Sequence, residues 1–165
     1  NATLKVDEVK APSLSKNFNA STVYTGQSSR LEINIFNNEP LGGVTLTQVT
    51  LTDYLPTNVV LGALRADSLL NCGASAVLYR NTCNTYVTII NATIDPQTTC
   101  RIRVDVRSNV QGVYTNTIPA GPGGLGSIQT QQGVTNATPA SASASGCGLP
   151  RRCWPRPATR PSPQR

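Results

Sequence analysis

Five cysteines, Cys72, Cys83, Cys100, Cys147 and Cys153, have the readiest chemistry in this sequence, and no histidine accompanies them. Without histidine there is no His-dependent triad, no imidazole base and no His metal ligand. Adjacent carboxylates occur only as Asp7 and Glu8, which point to opposite faces of a strand and so cannot share one acid–base task. The run "GPGGLG" lacks the Lys-Ser/Thr of a phosphate-binding loop and reads as a hairpin-forming loop. In the body of the chain the cysteines are separated by ten and sixteen residues, a spacing that matches no zinc pattern. No catalytic, cofactor-binding or metal-ligating residue is assigned, and an enzyme is not expected. An exported β-domain would use these cysteines as disulfides. The preferred pair is Cys72–Cys100, whose closed loop contributes ~3–4 kcal/mol through the unfolded state. Cys83 alternatively pairs with Cys72, or reaches Cys147 or Cys153. The odd count leaves one thiol free or bonded to a neighbouring chain.

The elements that must position these residues are strands. No window keeps a helical apolar stripe for three turns. "CRIRVDVRS" alternates Cys100, Ile102, Val104 and Val106 with Arg101, Arg103, Asp105 and Arg107, as a strand with one buried and one wet face does. "RLEINIF" repeats the pattern with Leu31, Ile33 and Ile35 inward. In "VTLTQVTLTD" the phase slips near Thr47–Gln48, which calls for a β-bulge. Further strands are expected at 59–61, 86–94, 112–118 and 127–134, separated by turn sequences. The architecture that follows is all-β: an immunoglobulin-like antiparallel β-sandwich of about seven to nine strands, with a closed barrel as its rival. Surface sandwiches sometimes carry a Lys–Asn isopeptide cross-link, which needs a buried Lys beside an Asn and a catalytic carboxylate. Lys16 is the one sensible candidate, and the expectation stands against it, because lysine is almost never fully buried. Four N-x-[ST] sequons, at Asn1, Asn19, Asn91 and Asn136, are weak signals in a chain this rich in Asn and Thr.

The net charge of +6 over 165 residues belongs to one end. Residues 1–146 hold nine basic and all eight acidic groups, and the other five arginines lie in residues 151–165. Nucleic acid is therefore disfavoured as a partner, Trp154 being the only aromatic among those arginines. From Ser141 the chain turns to small residues, Pro and Arg, without alternation of large apolar groups. It is expected to form a disordered or extended tail. No apolar run approaches the ~18 residues of a membrane-spanning helix. The sequence has no Met, so residue 1 is read as a processed terminus or the edge of an excised fragment.

"PSLSKNFNASTVYTGQSSRLEINIFN", "VTLTDYLPTNVVL", "DPQTTCRIRVDVRS", "GVYTNTIPAG" and "GVTNATPASA" occur in this order between about Pro12 and Ala142. Together they resemble the immunoglobulin-like conserved-repeat domains of bacterial surface and secreted proteins. The resemblance implies a β-sandwich, an extracellular or cell-surface bacterial location, no agreed enzymatic activity, and Cys72 with Cys100 as the family's cysteine pair. Cys83 is additional to that pattern.

Tandem members of such families follow the Asn-Thr/Ala phrase with an alternating apolar strand. Here "TNATPASASASG" supplies no Leu or Val at that place, whereas "NATLKV" at the front carries Leu4 and Val6. The expectation is a head-to-tail homopolymer in which residues 1–10, with Leu4, Val6 and Val9 as anchors, complete the next subunit's sandwich. The sandwich itself would span 11–142 and a Pro/Arg-rich tail 143–165. The partners would be identical subunits, with a cell-surface polymer or host ligand besides, and the product a surface fibre or pilus-like filament. The alternatives are an adhesin or stalk repeat that binds a ligand through its loops, and the return of "NATLKV" to its own sheet.

Overall fold

The computed structural model describes residues 8–148. Among them eleven strands follow one another: β1 (Ser13–Phe18), β2 (Thr22–Tyr24), β3 (Ser28–Phe36), β4 (Leu46–Tyr54), β5 (Val60–Leu61), β6 (Leu69–Leu70), β7 (Val77–Arg80), β8 (Tyr86–Ile94), β9 (Thr99–Arg107), β10 (Gly112–Ile118) and β11 (Ala140–Cys147). One sheet has the order β1-β3-β9-β5, with β6 also on β9; across the core lie β4-β8-β7 and β10-β11-β2. Every pairing is antiparallel except that of β11 with β2. The fold is an all-β sandwich. Its strand number exceeds the expected range through pieces of two or three residues, β2, β5 and β6, too short to show a period.

The alternation in β3 and β9 converts directly into layers. Leu31, Ile33 and Ile35 are fully buried and stand opposite Val104, Ile102 and Cys100. The outward residues of the same strands pair by charge or hydrogen bond: Arg30 Nε with Asp105 at 3.2 Å, Arg103 Nε with Glu32 at 2.9 Å, and Arg101 Nε with Asn34 Oδ1 at 3.0 Å. Such half-exposed cross-strand pairs contribute about 0.2–1 kcal/mol each, far less than the apolar face beneath them. In β4 the ladder slips between Leu46 and Val49 and again before Leu51, with Gln48 at φ 51° on this strand and Asn91 at φ 55° on β8. The bulge thus falls where the sequence phase slips, and it returns Leu51 and Asp53 to the buried side.

Two expectations are corrected. Residues 127–134 form no strand; only an isolated bridge joins Gln129 to Thr50. Gly126 and Gly133, at φ 87° and 76°, turn the chain too often for a ladder to extend. The loop is instead pinned by buried Ile128 and by Asn136. That carboxamide accepts from Ile128 N at 2.9 Å and donates to Pro119 O and Thr138 O, both at 2.9 Å. Asn136→Ala leaves three backbone groups unpartnered, so urea unfolding should show a loss of about 2–3 kcal/mol at unchanged m-value. The same burial leaves the Asn136 side chain inaccessible to glycosylation once the protein has folded.

The second correction concerns the stretch from Ser141, expected to lack a strand and leave a place in the sheet unfilled. β11 fills that place. It pairs with β10 from Ile118↔Ala140 to Gly112↔Gly146 and with β2 at Thr22–Tyr24. Its period is present in miniature, with Ala140, Ala142 and Ala144 alternating with serines. Two of those serines bond across the strand pair, Ser143 to Thr115 at 2.8 Å and Ser141 to Thr117 at 2.7 Å. Backbone ladder and hydroxyl pairs hold this strand, so a search for large apolar groups misses it.

Candidate functional site

Three strands each carry one polar residue where alternation demands an apolar one. In β1 Lys16 stands between Leu14 and Phe18 on the core side. In β4 Asp53 follows Val49 and Leu51 inward, and in β10 Asn116 lies between Tyr114 and Ile118. The side chains of Lys16 and Asp53 are 0% and 1% exposed, and Asn116 is 1% exposed. They meet on one carboxyl group. Lys16 Nζ donates to Asp53 Oδ1 at 2.5 Å, and Asn116 Nδ2 donates to Asp53 Oδ2 at 2.9 Å. Asn116 Oδ1 is a buried acceptor without a hydrogen-bond partner among the described residues.

Burial governs the protonation of this cluster. Desolvation lowers the pKa of Lys16, against the opposing charge and hydrogen bond of Asp53. Desolvation likewise raises the pKa of Asp53, against the opposing effects of Lys16 and Asn116. Both shifts favour the uncharged forms, an amine and a carboxylic acid, over an ion pair that the apolar core solvates poorly. A neutral amine is a nucleophile and a carboxylic acid can hand protons on, so the arrangement sets a nucleophile and a carboxamide on the two oxygens of one proton carrier.

The expectation that Lys16 stays out of the core is overturned. Its neighbours in the strand, Leu14 and Phe18, were the signal: a lysine centred in an apolar stripe of period two is aimed inward. Asp53 and Asn116 interrupt their own stripes in the same way, and sequence reasoning passed over both.

A disulfide joins Cys72 to Cys100, across a sequence separation of 28. It ties the stretch after β6 to the start of strand β9, while Cys72 O accepts from Thr93 N at 2.8 Å and so reaches β8 in the facing layer. Cys83 is an exposed free thiol in the β7–β8 loop, and Cys147 is disulfide-bonded. Cys153 lies outside the described residues, as do Leu4 and Val6. Val9 packs against this chain's own core. The next two residues are also held at home, Lys10 N donating to Glu39 Oε1 at 2.6 Å and Ala11 O accepting from Asn38 Nδ2 at 2.7 Å. Among the described residues no cluster of three His, Cys, Asp or Glu could hold a metal ion, and no helix is long and apolar enough to cross a membrane.

The first described strand begins and the last ends at opposite ends of the sandwich. Ser13 pairs with Phe36 at the end of β3, whereas Cys147 pairs with Tyr24, which precedes the start of β3. The nine residues of β3 lie between these ends, a span of about 30 Å. Apolar side chains are exposed at both: Leu41 in the β3–β4 loop at the first end, and Tyr24 and Val110 at the second.

Several solved structures share this architecture. A cohesin module from a family 33 glycoside hydrolase of Clostridium perfringens aligns with a TM-score of 0.53 at 13% identity, over 84% of this chain and 98% of that one. The major pilin subunit BcpA of Bacillus cereus aligns with a TM-score of 0.51 at 11% identity, over 83% of this chain and 41% of the pilin. The RrgA Jo.In complex aligns with a TM-score of 0.51 at 12% identity, over 76% of each chain. At these identities the likeness is one of fold alone. No curated protein matches the sequence. A family model described as "Domain of unknown function (DUF7933)" matches residues 12–148.

Proposed function

The chain belongs to that family of unknown function, the match spanning most of its length, and from this premise we propose that it is a structural module of a bacterial surface assembly whose units join end to end. The observation that carries this reading is that the described residues begin and end about 30 Å apart, at opposite poles of the sandwich. Units linked through such poles extend along one axis. A module whose exits lay side by side would fold back. The Cys72–Cys100 disulfide fits an oxidising compartment and so an extracellular or cell-surface location. The pilin and cohesin likenesses support the reading by showing the same sandwich in proteins named for assembly. Leu4 and Val6 would couple successive units by adding residues 1–8 of one copy to an open strand edge of the next, giving a homopolymer. β7 offers such an edge and exposes Val77 and Tyr79.

A stalk or adhesin repeat, binding a surface polymer or host ligand through its loops, is the second reading. It is favoured by β11, which completes the sheet without outside help. Light scattering and negative-stain microscopy of the protein with and without residues 1–8 separate the two. Filaments that disappear on truncation are the expected result. Monomers in both samples would overturn strand donation and leave the stalk repeat.

A further inference from the structure

We propose that Lys16 and Asn116 are joined by an intramolecular isopeptide bond, formed with Asp53 as the proton carrier and ammonia as the leaving group. Three observations converge on it. A lysine amine and an asparagine carboxamide, both nearly inaccessible to water, sit on the two oxygens of one buried carboxyl group, at 2.5 and 2.9 Å. No other partner competes: neither Lys16 Nζ nor Asn116 Nδ2 has a second hydrogen bond among the described residues. And the buried Asn116 Oδ1 finds no donor among the described residues.

The steps balance without a cofactor or oxidant. Lys16 passes a proton to Asp53 and becomes a neutral amine. Its nitrogen attacks Cγ of Asn116, forming the Nζ–Cγ bond. The carboxyl of Asp53 gives a proton to Nδ2 and recovers one from Nζ. The Cγ–Nδ2 bond then breaks and ammonia departs. Asp53 ends protonated, and Lys16 and Asn116 end as a secondary amide. That product also answers the orphan acceptor. The amide N–H donates to one oxygen of Asp53, and the protonated oxygen donates to the amide carbonyl, so every polar atom of the cluster is paired. Exclusion of water protects the amine from permanent protonation and the new bond from hydrolysis.

The bond ties β1 to β10, so tension entering through the first strand passes into β10 and its partner β11 without stretching residues 17–115. This suits a module pulled from its poles, but the inference rests on the cluster alone and survives whichever way modules join.

The test is the intact mass of the full chain, reduced and denatured so that disulfides do not contribute. The expected mass is about 17 Da below that of the sequence, one ammonia lost to an attacking nucleophile. Trypsin should then release residues 11–30 covalently joined to residues 108–151, with no cleavage after Lys16. Asp53→Asn and Lys16→Met should restore the full mass and separate the two peptides. The full sequence mass in the wild-type protein overturns the proposal, as does a deficit that maps to a succinimide at another asparagine. A cross-link that persists in Asp53→Asn overturns the role of Asp53. The wild-type peptide map decides the main point even where a variant fails to fold.

Discussion

Asp53→Ala is expected to destabilise the protein more than any other single substitution in the cluster. The variant strands the Lys16 ammonium, or forces it to deprotonate, in a site that is 0% exposed for that side chain. Breaking a buried pair in this way costs about 3–5 kcal/mol. It also removes the proton carrier for the Lys16–Asn116 bond. A cross-link around a loop of about 100 residues withdraws a further ~4–5 kcal/mol from the unfolded state in the chain-entropy account. The sum rivals the whole stability of an ordinary domain, and a fall in melting temperature on the order of 20 °C follows for a chain of this size. Lys16→Met loses the same bond but leaves only a carboxyl whose charged form burial disfavours. Its melting temperature should therefore lie between those of wild type and Asp53→Ala. Scanning calorimetry of the three proteins checks the order. Asp53→Ala within about 1 kcal/mol of wild type would contradict it, because that is less than stranding one buried charge costs.

Replacing both members of the Cys72–Cys100 bridge with alanine is expected to cost about 3–4 kcal/mol, from the entropy returned to an unfolded chain no longer closed across 28 residues. Alanine is the right probe, since the two cysteines are 4% and 0% exposed and a serine hydroxyl there would add a desolvation penalty of its own. Cys83, the exposed free thiol, is best held as serine in both proteins so that exchange does not confuse the comparison. Melting should fall by about 10 °C, and the urea m-value should rise as the released chain expands. A smaller loss with unchanged m-value would mean that the stretch after β6 is held by Leu69 and Leu70 on β9 rather than by the sulfur bridge.

These expectations rest on different kinds of legibility. Strands β3 and β9 could be read from the chain because each buries one face only, and a period of two is the direct imprint of that geometry. The bulge at Gln48 was equally visible as a slip of phase, since one extra residue moves every following side chain to the other face. β11 was not visible, because its alternation is between alanine and serine and its hold comes from ladder hydrogen bonds that any residue can make. The loop over 127–134 misled for the opposite reason. Buried Ile128 and half-buried Val134 suggest a strand, while the glycines between and beside them dictate turns.

The amino-acid sequence by itself determined that the protein is built of strands, that its charge is concentrated near one end, and that it carries no histidine chemistry. Each of these is a property of composition or of local period, carried by residues within a few positions of one another. Only the tertiary structure decided that the three inward polar residues meet. They lie on β1, β4 and β10, drawn from three different sheets, and nothing local relates them. Their meeting depends on long-range pairing and on the register that a bulge in β4 restores, and that register is what brings an amine and an amide to the two oxygens of one carboxyl group.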